Sequence, residues 1–121
     1  KKLKQRGFKN TPFLEDENTS VYAQYTIRVK NREKVITDLK NKGIPSAIHY
    51  PVLLPDQVAL NPEKKGFFKN FYKRKVYKLN NISNARNIVS DVLSLPMHPM
   101  LSENDQDYII ESLIQILKSY D

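Results

Sequence analysis

Between Ser20 and Val29 apolar and polar residues alternate, and SVYAQYTIRV sets Val21, Ala23, Tyr25, Ile27 and Val29 on one side of an extended chain. That period of two, in a stretch rich in β-branched and aromatic residues, predicts a strand. The period then changes. Val35, Ile36 and Leu39 fall at helical spacing, with Asn31 where a cap belongs and Gly43 where a left-handed residue ends a helix. A second extended segment, IPSAIHY, follows and breaks off at Pro51. Behind Ser83, a residue type that caps helices, Ala85, Ile88, Val89 and Val92 return to helical spacing. VLSLP, from Val92 to Pro96, is a third short strand stopped by proline. Ser102 and Asp105 resemble a capping box, although Glu or Gln is more usual at the second place. The helix they open runs to about Lys118, with Ile109, Leu113, Ile116 and Leu117 on its apolar side.

These elements predict a small α+β domain with a sheet of about three short strands, mostly antiparallel, covered by helices. Residues 1–19 are polar and basic, then acidic at Glu15, Asp16 and Glu17. They read as an N-terminal tail or the end of a preceding region, and residues 20–121 as the domain. From Pro51 to Asn81 no periodicity survives, and a basic-aromatic run, GFFKNFYKRKVYK, sits in the gap. A long loop is expected there, mobile and basic over about residues 60–81.

Composition narrows the classes. The chain of 121 residues is 40% apolar and 27% charged, values of one globular domain. It has no cysteine, which excludes disulfides and cysteine metal sites and suits a reducing, cytoplasmic setting. No apolar run approaches the roughly 20 residues of a membrane span. The first residue is Lys1 rather than Met, so a piece of a longer protein is expected. The net charge of +7 suits nucleic acid, an acidic membrane or a phosphorylated small molecule, and equally a lysine-rich solvated surface.

The chain has two histidines, in parallel contexts. His49 follows PSAI and precedes Tyr50 and Pro51; His98 follows LSLP and Met97 and precedes Pro99. Both lie where a strand gives way to a loop, a place where binding groups are displayed. Histidine donates or accepts hydrogen bonds, and tyrosine adds a flat face and a hydroxyl. A hydrogen bond to a loop carbonyl accounts for either histidine as well. No carboxylate stands at ligand spacing from either, so no metal site is read. In the run from Phe67 to Lys78 aromatics alternate with Lys69, Lys73, Arg74, Lys75 and Lys78, as in single-strand binders. It matches no RNP or helix-turn-helix pattern, which favours a basic surface loop or a partner contact over nucleic acid. No phosphate loop, nucleophile elbow or zinc-protease motif is present, and no catalytic residue can be assigned.

SVYAQYTIRV, then GIPSAIHYP, then VLSLPMHPMLSENDQDYIIESL resemble, in order and spacing, the C-terminal small domain of the DegT-type (DegT/DnrJ family) sugar aminotransferases. The likeness covers roughly Ser20 to Leu117. It implies the small domain of a fold-type I enzyme that uses pyridoxal phosphate to move an amino group from glutamate to a keto sugar nucleotide, with UDP-linked sugars the nearest subgroup. It also implies a large N-terminal domain carrying the cofactor lysine and the pyridinium-pairing carboxylate, and a homodimer of the parent. No lysine here takes the cofactor role, so a fragment that binds no cofactor and is inactive alone is expected. Carried over by motif, His49 and Tyr50 become substrate contacts, and His98 a weaker one at the same rim.

The chain departs from the family where HYP is commonly followed by PLHxQPA. Leu54, Gln57 and Ala59 fit that pattern, but Pro55 replaces its histidine. The basic run after it is longer than usual, and Ser83 stands where the family often has proline. A regulatory or interaction module without catalysis, or a nucleic-acid binder, is the alternative.

Overall fold

Strands β1 (Tyr25–Arg28) and β2 (Val92–Leu95) pair antiparallel, with Tyr25 opposite Leu95, Thr26 opposite Ser94, Ile27 opposite Leu93 and Arg28 opposite Val92. The computed structural model describes residues 1–57 and 82–120. Contacts divide the chain into two units, one of Lys1–His49 with Asp91–Asp121 and one of Tyr50–Ser90.

In the first unit the sheet joins helices α1 (Lys2–Gln5), α2 (Arg32–Asn41) and, last in the chain, a sixteen-residue helix, Glu103–Lys118. Ile27, Val29, Leu93 and Leu95 from the sheet share one core with Val35, Leu39, Ile44, Ile109, Leu113 and Ile116. Alternation along each strand assigns its faces: Ile27, Leu93 and Leu95 turn to this core, and Thr26 and Ser94 to the opposite face.

The predicted strand from Ser20 is shorter than its pattern. Tyr22 has a left-handed backbone (φ 46°), and Val21 is 93% exposed. The next pair in register would set Gln24 opposite Pro96, which has no N–H to give. The second predicted strand, IPSAIHY, reduces to one bridge between Ala47 and Ser94, whereas the third, VLSLP, forms β2, so the sheet has two strands. Pro45 supplies no donor beside that bridge, which restricts its extension.

Asn31 occupies the N-cap of α2 but is itself left-handed (φ 52°), and its side chain does not cap. Gly43 ends the helix with φ 73°, as its position predicts. The last helix is capped as its sequence suggests: Ser102 Oγ accepts from the Asp105 backbone N–H at 3.1 Å and donates to Asp105 Oδ2 at 2.6 Å. Residues 1–19, expected as a polar tail, contain α1, whose Leu3 is 4% exposed in the core.

In the second unit a 3-10 turn covers Leu54–Asp56, and helix α3 covers Ser83–Ile88. The final helix is thus α4. Ser83 is not the cap of α3: Ile82 stands there, with no side-chain cap. Val92, at helical spacing from Ile88 but also the first residue predicted for VLSLP, belongs to β2, and α3 stops at Ile88. Arg86 reaches Asp56 with both terminal nitrogens, at 2.7 and 3.1 Å. The loop expected over about 60–81, with its basic run, lies outside the described residues.

Candidate functional site

Ala47 is tied to β2 by two backbone bonds: its N–H donates to the Ser94 carbonyl at 3.1 Å, and the Ser94 N–H donates to its carbonyl at 2.8 Å. This anchors the segment from Pro45 along the open edge of β2. Two residues on, His49 reaches back over the sheet, and its Nδ1 lies 3.2 Å from Ser94 Oγ. Ser94 Oγ in turn lies 2.9 Å from Thr26 Oγ1, its cross-strand partner. The result is a chain of polar groups, Thr26–Ser94–His49, on the face of the sheet away from the core. Ser94 is 5% exposed although it points away from the apolar core. Burial leaves its hydroxyl dependent on protein partners rather than water, which strengthens each bond.

Beside this chain is a cleft of about 250 Å3 lined by Ala23, Gln24, Pro45, Ser46, Ala47, His49, Ser94, Leu95, Pro96 and Met97. Proline, alanine, leucine and methionine supply apolar surface; Gln24, Ser46 and His49 supply hydrogen-bonding groups. None of these lining residues is an acid, a lysine or an arginine. Such a surface suits an uncharged ligand part with hydroxyl or amide groups and an apolar face, such as a sugar ring or a base.

The residues singled out by sequence are placed differently. His49 lines the cleft, half-buried. His98 is exposed in the turn that leads to α4, where its carbonyl accepts from the Leu101 N–H at 3.1 Å, and the cleft lining ends one residue earlier, at Met97. Tyr50 is the first residue of the second unit and is 72% exposed. Sequence reasoning missed Ser94, Thr26 and Gln24. The one available signal was a lone hydroxyl residue between two leucines in LSL, because alternation turns it away from the core.

Among the described residues no group of three His, Cys, Asp or Glu is arranged to hold a metal ion, and no helix is long and apolar enough to cross a membrane.

A family model, the DegT/DnrJ/EryC1/StrS aminotransferase family, matches residues 1–114. The chain belongs to this family. It is 42% identical over 99 residues to a protein from Pseudomonas aeruginosa named UDP-2-acetamido-2-deoxy-3-oxo-D-glucuronate aminotransferase, covering 82% of this chain and 23% of that one. A protein from Geobacillus stearothermophilus named pleiotropic regulatory protein is 29% identical over 110 residues, covering 91% of this chain and 26% of its own. Among solved structures, a DegT DnrJ EryC1 StrS aminotransferase from Brucella abortus matches with TM-score 0.70 and 34% identity, over 89% of this chain and 26% of that one. The chain therefore spans about a quarter of the length of these relatives.

Pyridoxal chemistry in DegT/DnrJ aminotransferases requires an amine for the Schiff base and a carboxylate for the pyridinium nitrogen. The residues lining the cleft offer neither, so the cleft does not fit that cofactor.

Proposed function

We propose that this chain is the C-terminal small domain of a pyridoxal-phosphate-dependent aminotransferase that transfers an amino group from glutamate to a UDP-linked keto sugar nucleotide. In this reading the covalent chemistry belongs to a large N-terminal domain, the parent is a cytoplasmic homodimer, and this part shapes the sugar-nucleotide pocket. His49 and Tyr50 contact the substrate, and His98 lies at the rim.

The observation that carries the reading is the cleft beside His49, in a chain 42% identical to a relative named for a UDP-linked keto sugar. An uncharged lining favours the sugar or the base at this surface over the diphosphate, which would call for lysine or arginine. His49 hydrogen-bonds a hydroxyl or carbonyl of the ligand, while Pro45 and Pro96 pack on its apolar face.

The test is kinetic and uses the full-length enzyme. His49→Ala and Tyr50→Phe should raise the KM for the sugar nucleotide more than that for glutamate. Equal effects on both would refute the assigned role. A regulatory protein without transaminase activity is the second reading, motivated by the 29% identity to a relative named as regulatory. Turnover of a keto sugar nucleotide by the full-length protein would remove it.

A further inference from the structure

We propose that Ser94, backed by Thr26, is a positioning residue that fixes the orientation of the His49 ring and couples its proton arrangement to the two hydroxyls. The inference rests on the reading of His49 as a sugar-nucleotide contact. Its structural basis is the unbroken chain of Thr26 Oγ1, Ser94 Oγ and His49 Nδ1, with separations of 2.9 and 3.2 Å.

Ser94 is held on both sides. The strand ladder pairs it with Thr26, and two backbone bonds tie it to Ala47. Its hydroxyl therefore has a fixed origin, and burial keeps water from competing for it. A hydroxyl has one proton and can also accept, so the chain has two complete arrangements. In one, Thr26 donates to Ser94 and Ser94 donates to Nδ1; the ring proton then sits on Nε2, which is a donor. In the other, Nδ1–H donates to Ser94 and Ser94 donates to Thr26; Nε2 is then an acceptor. The bond made by one ring nitrogen sets the role of the other. Both arrangements keep the imidazole in the same place. His49 can thus serve either as donor or as acceptor to a sugar hydroxyl or a base carbonyl, without moving.

The experiment is a mutant cycle in the full-length enzyme, read by KM and by 15N spectra of histidine-labelled protein, with the His49 signal identified as the one lost in His49→Ala. Ser94→Ala should raise the sugar-nucleotide KM about threefold to tenfold, the worth of one hydrogen bond, and leave the KM for glutamate unchanged. Thr26→Val, a second variant of nearly equal volume, should act in the same direction. In a His49→Ala background Ser94→Ala should add nothing, because its effect passes through the ring. An undiminished effect in that background would overturn the proposal. If His49→Ala leaves KM unchanged, the substrate reading fails, and the spectra decide the positioning role separately. Displaced His49 nitrogen signals in Ser94→Ala and Thr26→Val would uphold it; unaltered signals in both would overturn it.

Discussion

Lys2 Nζ lies 2.7 Å from Asp107 Oδ1, so the first helical turn is pinned to α4 from a distance of 105 residues along the chain. Arg6 repeats the contact one turn on, with its guanidinium 3.2 Å from Glu111. Between them Leu3 enters the core. Leu3→Ala should cost about 2–4 kcal/mol, as large-to-small core changes do. Lys2→Ala should cost less than about 1 kcal/mol, because the ion pair is partly exposed to water. Urea unfolding of the two variants separates these contributions, and equal losses would show that α1 is held by charge.

The Tyr120 hydroxyl donates to the Asp38 carboxylate, and Lys34 lies 5.8 Å from the centre of the Tyr120 ring. The hydrogen bond first, then burial and the Asp38 charge, raise the phenol above its ordinary value of 10.0. Burial, followed by the charge of Tyr22, raises Tyr25 in the same direction. A raised phenol means that the fold prefers the neutral ring. This contribution is full below the ordinary value and is lost as pH rises through the folded-state value. Denaturant midpoints should hold steady up to about pH 9 and fall beyond it. Tyr120→Phe should weaken that alkaline fall, and an identical profile would assign it elsewhere.

Ser102 closes the start of α4 through both the backbone and the side chain of Asp105. Ser102→Ala should destabilise the chain by about 1 kcal/mol, and Ser102→Asn by less. Thermal melts compare the two, and a neutral alanine variant would mean that α4 is held by its packed face alone.

His98 and His49 share a sequence context but differ in setting, one exposed in a turn and the other lining the cleft. On the proposed function, His98→Ala in the full-length enzyme should change the sugar-nucleotide KM less than twofold. A loss equal to that of His49→Ala would extend the substrate surface beyond Met97.

Elements with a repeated signal were legible in the sequence. Val35 and Leu39 recur at helical spacing, Gly43 stops that helix, and Pro96 stops β2. Ser102 marked the start of α4 by chemistry that acts within one turn. What stayed hidden depended on distant partners. Leu3 is a single apolar residue in KKLKQRG, and the core that buries it is built from residues far along the chain, α4 among them. Val21 continues an alternating pattern, yet β2 ends at Leu95 and leaves no ladder for it. At the candidate site His49 was visible as a rare residue at a strand end. Thr26 and Ser94 were not, because their meeting is a matter of register, which no local pattern specifies.

The pairing of β1 with β2 also fixes an order of events during synthesis. Tyr25–Arg28 finds its partner only when Val92–Leu95 has been made, more than sixty residues later in the chain. A nascent chain leaving the ribosome therefore carries β1 without its ladder until β2 has emerged. Topologies dominated by such late, long-range closures fold slowly and present sticky surface in the interval. Chaperone demand for this chain should accordingly be set by how quickly β2 follows β1 out of the exit tunnel.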